Sequence, residues 1–468
     1  AAGTCCDEDE AEPSVFGSAC LVGGAAVGGG FLALPRATAA SGLLPATVGL
    51  TATWLYLVLC GTALAEAALR VMVRAEQEDV CSAPEGSKIS EKAGRLCKSS
   101  AGRGEGGGGC AVSMFTIVYA ATRMSERTRH RAAAGGLLCL TTLSFLVCAG
   151  SVLAAQISKA GVLLAQPIGA SVEGTTVAAA LLMMAVTFGL EERTVVKLST
   201  VFTGGVIASF AAVLAGALVA AQRLHPARLL RAEWGRLLPP VAALGGEVWV
   251  VNVFLQLLCF AEVVCLVCGR HGPGRPRAVL AAVWMGSVAP LAMATLWTAA
   301  AVNMTPRSVS ARMADPLEAF LTGSATTAVP VAVMAAFAIL TTVIGTALAK
   351  RQFITGMIGE PSERGRLLIS LGVLGVPSAI ALFGGDLFYR AMAFCGGYPA
   401  LLLYGVAPPW LCWRLRRQDA AAPGRSRVRA LLPGGSFALW LLSACGLGVL
   451  LTNISIFAAS MLRARGLL

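Results

Sequence analysis

The sequence predicts an all-α polytopic membrane protein of about eleven transmembrane helices, and three observations carry that prediction. Only 13% of the 468 residues are charged while 56% are hydrophobic, against roughly 25% charged residues in ordinary soluble domains. Mean hydropathy is +0.74. Apolar stretches recur along the chain with charges gathered between them, each near the roughly 20 residues that cross a hydrocarbon core about 30 Å thick. Most are apolar on every face, unlike the amphipathic helices of a soluble core, and the ten-residue alternating segments of a β-barrel are not seen.

The expected spans, numbered 1 to 11, are residues 15–34, 43–69, 135–157, 174–190, 195–221, 238–268, 278–303, 325–349, 367–385, 388–413 and 436–462. Five plus five helices with one extra suits an inverted repeat. The expected organisation is an acidic tail (1–14), a first five-helix repeat (15–221), a second (238–413), a basic loop (414–435), and an eleventh helix with the C-terminus (436–468). Under that scheme span 1 pairs with span 6, each the broken helix of its half. The long connection from Arg70 to Ala134 holds a flexible glycine-rich piece, A-G-R-G-E-G-G-G-G-C, and the apolar run Ala111 to Ala121. Eleven residues are too few to cross, so that run reads as an in-plane or re-entrant helix.

The net charge of +12 reflects orientation rather than nucleic-acid binding. Connections after even-numbered spans hold 26 of the 37 Lys and Arg residues, the skew that the positive-inside rule gives when the N-terminus is on the cytoplasm-equivalent side. The 15 cysteines are scattered through the spans, and no disulfide framework is legible. Cys265-x-x-Cys268 stands alone and the chain has three histidines, so neither a metal nor a cofactor is expected. No nucleophile with a base appears within the spans, so no catalytic residue is assigned. The opening at Ala1 has no basic, apolar leader, and a segment removed upstream is expected. Plasma membrane and plastid inner envelope both remain open as the location.

Span 1 contains G-G-A-A-V-G-G-G-F-L-A-L-P-R, Gly23 to Arg36, with five glycines in eight positions. Each glycine costs about 1 kcal/mol relative to alanine inside a helix, so a continuous helix here is penalised by several. A helix that breaks and restarts around Gly28 to Phe31 would offer unpaired N–H groups and the positive end of a helix dipole to a carboxylate. Unwound backbone at this depth must line a cavity or lie buried in protein. The alternative is that Gly24 and Gly28 form a close-packing face for another helix.

The stretch G-S-A-C-L-V-G-G-A-A-V-G-G-G-F-L-A-L-P-R-A-T-A-A-S-G-L-L-P-A resembles the first helix of the tyrosine/tryptophan-specific permease family of aromatic amino acid transporters. W-L-Y-L-V-L-C-G-T-A-L-A-E-A-A-L, ending in Glu66, is similar to that family's second helix. I-A-L-F-G-G-D-L-F-Y-R-A-M-A-F-C-G-G-Y-P-A-L-L-L-Y-G-V-A-P-P-W resembles its ninth and tenth. The resemblance implies a LeuT-type inverted repeat and proton-coupled uptake of aromatic amino acids. It places the substrate at Gly24, Ala25, Gly28, Gly29, Gly30 and Phe31. One departure concerns span 6, which in the family carries a glycine-containing interruption. Here it has no glycine after Gly246, which puts the preference for aromatic side chains in question.

Asn252, Gln256, Cys259 and Glu262 fall on one face of span 6, within about 120° at 100° per residue. Polar groups are costly within a membrane, so this face is expected to look toward the break in span 1. Interhelical hydrogen bonding without substrate contact is the other reading. Phe254 and Phe260 are candidates to flank an aromatic substrate. Glu66 and Glu262 are the carboxylates to test for proton coupling, because an ionised carboxylate inside a span costs on the order of 3 kcal/mol. Both are read as lying near the inner ends of their helices. Thr341, Thr342 and Thr346 of span 8 could meet substrate or bond their own backbone. The expected partners are an amino acid, a coupling proton and the lipid bilayer. A membrane sensor that binds amino acid without transporting it, and a carrier of non-aromatic amino acids, are the alternatives.

Overall fold

A computed structural model describes residues 13–39, 41–81, 112–123, 128–190, 192–220, 232–237, 250–304, 316–321, 325–358, 362–384, 387–421 and 428–465. Nearly all are helical, and no strand occurs among them. The acidic tail up to residue 12, the glycine-rich piece at 101–110 and the expected start of span 6 at 238–249 lie outside the described residues.

Among the described residues, nine helices are long and apolar enough to cross a membrane, and a tenth crossing is made when the bent pair Val15–Ala26 and Gly29–Thr38 is taken as one span. The remaining expected span, 195–221, falls in the helix Glu192–Ala220, whose apolar stretch Thr200–Gly216 is shorter than the others. Serines start several helices. Ser14, Ser171 and Ser362 each accept a hydrogen bond from the N–H three residues on, at 3.4, 3.3 and 3.3 Å, satisfying one of the donors that a helix N-terminus leaves free.

Spans 2 and 3 are the longest helices, Leu43–Cys81 and Thr128–Ile168. Between them the helix Met114–Arg123 has 10 residues, too few to cross. Its Ile117, Val118 and Ala121 are buried while Tyr119 is exposed, as an amphipathic segment packed on one side requires. The Ala121 carbonyl accepts from Gln418 Nε2 at 2.8 Å, which ties this helix to the end of span 10.

Burial sorts the spans into an inner and an outer set. The apolar window of span 10, Leu387–Ala421, is 78% buried and that of span 6, Val250–His271, 61%, whereas spans 9 and 11 reach only 22%. Spans 6 and 10 therefore stand at the centre. Spans 9 and 11 turn apolar side chains such as Leu367, Val376, Phe437 and Phe457 outward, as lipid-facing helices do. Span 1 packs along span 7, where a Cβ on Gly23 would sit 3.1 Å from the Gly286 carbonyl oxygen.

Candidate functional site

Span 1 is broken. Its first half, Val15–Ala26, ends at Val27 and Gly28, both extended, and a 3-10 turn Gly29–Ala33 leads into the helix Leu34–Thr38 with Pro35 in its first turn. The two halves differ in direction by 41°. Proline fits a helix start because its missing N–H would be unpaired there anyway. None of Gly23 to Gly30 has a positive φ, so these glycines do not serve a left-handed backbone. What they provide is room.

Two polar side chains use that room. A Cβ on Gly28 would lie 2.5 Å from Thr342 Oγ1, and one on Gly29 would lie 2.0 Å from Gln156 Oε1. Thr342 Oγ1 accepts from the Gly29 N–H at 2.8 Å and donates to the Ala338 carbonyl at 2.8 Å. The bond to Ala338 is the own-backbone bond weighed for it in the sequence. Gly30 faces Met392 and Leu257, whose Cε and Cδ1 would stand 3.2 and 3.4 Å from a Cβ. The Phe31 N–H bonds the Gly28 carbonyl, and the Phe31 carbonyl accepts from Trp297 Nε1 at 2.9 Å. Among the described residues, the Gly28 and Gly30 N–H groups donate no hydrogen bond. Gly24 is half-buried and Ala25 exposed in the last turn before the break. Of the packing pair weighed in the sequence, Gly24 would meet nothing within 4 Å with a Cβ added, while Gly28 is approached by Thr342 of span 8, and Gly23 packs on span 7.

Span 6 is interrupted as well, with helices Val250–Leu257 and Ala261–His271 separated by Leu258, Cys259 and Phe260. No glycine is involved: Phe260 has φ −125° and ψ 3°, open to any L-residue. The first half of span 6 packs against the 3-10 turn of span 1, so the two interruptions adjoin.

The polar face of span 6 divides. Asn252 is buried and turned to span 11, where it donates to Asn453 Oδ1 at 2.8 Å and accepts from Asn453 Nδ2 at 3.1 Å. Its amide is spent on that interhelical pair. Gln256, one turn on and next to the break, has a buried Oε1 with no donor. Phe254 is fully buried. Phe260 faces span 2, its ring edge 3.1 Å from where a Gly61 Cβ would be.

Glu262 lies in the first turn of the helix Ala261–His271, directly after the break. Its carboxylate accepts from Tyr404 Oη at 2.9 Å. The side chain is exposed, and the Cys148 and Cys259 thiols lie within range of its charge. Tyr404 comes from a π-helical stretch of span 10, Leu401–Val406. Such stretches displace backbone carbonyls from the helical ladder. Here Cys60 Sγ and Ser443 Oγ donate to the carbonyls of Gly405 and Val406.

Glu66 has a different setting. It is fully buried and accepts from Arg416 Nε and Nη2 at 2.7 and 2.6 Å, from Arg70 Nε and Nη2 at 3.0 and 2.9 Å, and from the Leu431 N–H at 2.8 Å. Arg70 also pairs with Asp419, which Arg74 grips at 2.5 and 3.0 Å. The network fastens span 2 to the end of span 10 and to the segment leading into span 11. The helix Ala407–Ala421 carries Arg416 and Asp419, so residues 414–421 of the expected loop are helical.

Gln156, Met392 and Trp297 went unnoticed in the sequence. A single glutamine or tryptophan in an apolar span has no local signal that tells which neighbour it meets.

The family model described as the tryptophan/tyrosine permease family matches residues 11–90 and 132–453 of the chain, which is most of its length and includes every residue of the site just described. No curated protein sequence matches the chain.

Proposed function

The chain belongs to the tryptophan/tyrosine permease family, an amino acid transporter family, and from that premise we propose a proton symporter of aromatic amino acids that works by alternating access. The observation that carries the proposal is the break at Gly28 to Gly30, where free N–H groups of the restarting helix lie beside the interruption of span 6. A zwitterionic substrate fits such a place. Its carboxylate meets the N–H groups at the start of Gly29–Thr38, and its ammonium meets the carbonyl end of Val15–Ala26. Eleven spans in a five-plus-five inverted repeat, with the N-terminus inside, complete the proposal, and the basic skew of the connections supports the orientation.

Of the two carboxylates, Glu262 is the one suited to carry the proton. It borders the break and accepts a hydrogen bond from Tyr404. Protonation there alters a single contact next to the substrate. Glu66 accepts from two arginines and from the N–H groups of Leu431 and Leu432, and removing its charge would strand buried arginines at a cost of several kcal/mol. Its role in this reading is to hold the inner ends of spans 2 and 10 together. A membrane potential of about 100 mV supplies about 2.3 kcal/mol per proton, enough to concentrate substrate roughly fortyfold.

A non-aromatic substrate is the second reading, favoured by Phe260 facing Gly61 on span 2 rather than the break. Uptake of labelled tryptophan, tyrosine and leucine into proteoliposomes, with and without an inward proton gradient, decides between them. The expected result is gradient-driven accumulation of tryptophan and tyrosine, with the gradient dependence lost in Glu262→Gln. Preferential leucine uptake would establish the second reading, and saturable binding without accumulation would replace the transporter by a sensor. Unaltered gradient dependence in Glu262→Gln removes that residue from the coupling step.

A further inference from the structure

Gln156 lies in span 3 and is completely buried, and its Oε1 has no hydrogen-bond donor. The nearest partner of its Nε2 is the Met392 sulfur at 4.0 Å, a weak acceptor at long range. Buried polar atoms without partners are rare in proteins, and each one calls for a reason. Replacing this glutamine by an apolar residue of like volume would relieve the defect, so packing alone does not explain it.

Its position supplies the reason. The carboxamide lies directly on Gly29, where a Cβ would be 2.0 Å from Oε1 and 2.6 Å from Nε2. The chain therefore has a glycine at the point where this amide crosses the break. Gly29 donates its own N–H to Thr342 on span 8. The broken segment is thus flanked by one polar side chain that is satisfied and one that is not.

We propose that Gln156 is a substrate-binding residue whose Oε1 accepts a hydrogen bond from the ammonium group of the transported amino acid. This rests on the reading of the break as an amino acid site. The restarting helix supplies donors suited to a carboxylate. An ammonium brings three donors and needs acceptors, and Gln156 Oε1 is an unused acceptor lying against the same stretch of backbone. A bond from a charged donor is stronger than one between neutral groups, which suits an acceptor held dry until the ligand arrives.

The test compares tryptophan with its deaminated analogue, indole-3-propionate, in binding to the purified full-length protein and to Gln156→Leu, alongside thermal melting of both. The expected result is about a tenfold loss of tryptophan affinity, the size of one charge-assisted hydrogen bond, with indole-3-propionate affinity unchanged. The melting temperature should stay level or rise, because an unsatisfied buried amide has been removed. Gln156→Glu should retain tryptophan binding while Gln156→Leu loses it. Equal losses for both ligands, unchanged tryptophan affinity, or a lowered melting temperature with discrimination intact would each assign Gln156 to packing and overturn the proposal. If the wild type prefers another amino acid, that one and its deaminated analogue take the same places. A wild type that binds no amino acid overturns the functional reading itself, a result distinct from a failure of Gln156 alone.

Discussion

Span 1 unwinds at Val27 and Gly28 within a stretch holding five glycines, whereas span 6 unwinds at Leu258 to Phe260 with none. The glycines of span 1 stand where side chains from other helices press on its backbone: Thr342 on Gly28 and Gln156 on Gly29. Around span 6 the arrangement is reversed. Its own residues are the larger partners, and the glycines are on the helices they meet. Phe260 lies over Gly61 of span 2, and Asn252 presses its carbonyl on Gly396 and its amide on Gly397 of span 10. Glycine in this molecule marks the backbone that is approached, and a helix can break beside such a contact from either side.

The comparison is tested most severely at Gly396. A Cβ there would stand 1.8 Å from the Asn252 carbonyl oxygen and 2.9 Å from the Gln256 N, both backbone atoms that cannot swing aside. Gly396→Ala should push spans 6 and 10 apart at a cost at or above the upper end of the roughly 1–3 kcal/mol known for overpacked cores. Loss of monodisperse protein, or a melting temperature lowered by many degrees, is the expected observation. Normal melting would mean that span 6 does not depend on the close approach.

Gly29→Ala has a smaller structural and a larger functional effect. Its Cβ meets only the end of a flexible glutamine, which can rotate away, so the protein should fold with a near-normal melting temperature. The displaced Gln156 should then cost at least the tenfold in tryptophan affinity expected for Gln156→Leu. Combining the two substitutions provides the check, because groups acting through one contact are not additive. A double mutant that loses the product of the two single losses would show that Gly29 and Gln156 act separately.

These differences explain what was legible in the sequence. Membrane character, ten of the spans and the short helix at Met114–Arg123 follow from composition and run length, which are local properties. The break in span 1 was also local, since the penalty of clustered glycines is written in the segment that pays it. The break in span 6 was expected only from its pairing with span 1 in an inverted repeat, because the glycines it meets lie at positions 61, 396 and 397 rather than in its own segment. The polar face of span 6 was read as one unit, yet Asn252 meets Asn453, 201 residues away, and Glu262 meets Tyr404, 142 residues away. Periodicity says that residues share a face but not which neighbour each part of that face will meet. Gln156 was invisible for the same reason: its significance comes from Gly29.

The mildest substitution separates two explanations of the glycine cluster that the others leave joined. Gly24 lies within the helix Val15–Ala26, and a Cβ there would have nothing within 4 Å. If the glycines of span 1 exist for close approach, Gly24→Ala should be harmless. It should even stabilise by up to about 1 kcal/mol, the difference in helix propensity between the two residues, with tryptophan uptake unchanged and the melting temperature level or slightly raised. If the cluster instead acts by keeping the first half-helix pliable during transport, the same stiffening should slow uptake while leaving equilibrium binding intact. Measuring both in one preparation distinguishes them, because space and pliability predict the same stability but different rates: unchanged in one case, slowed in the other.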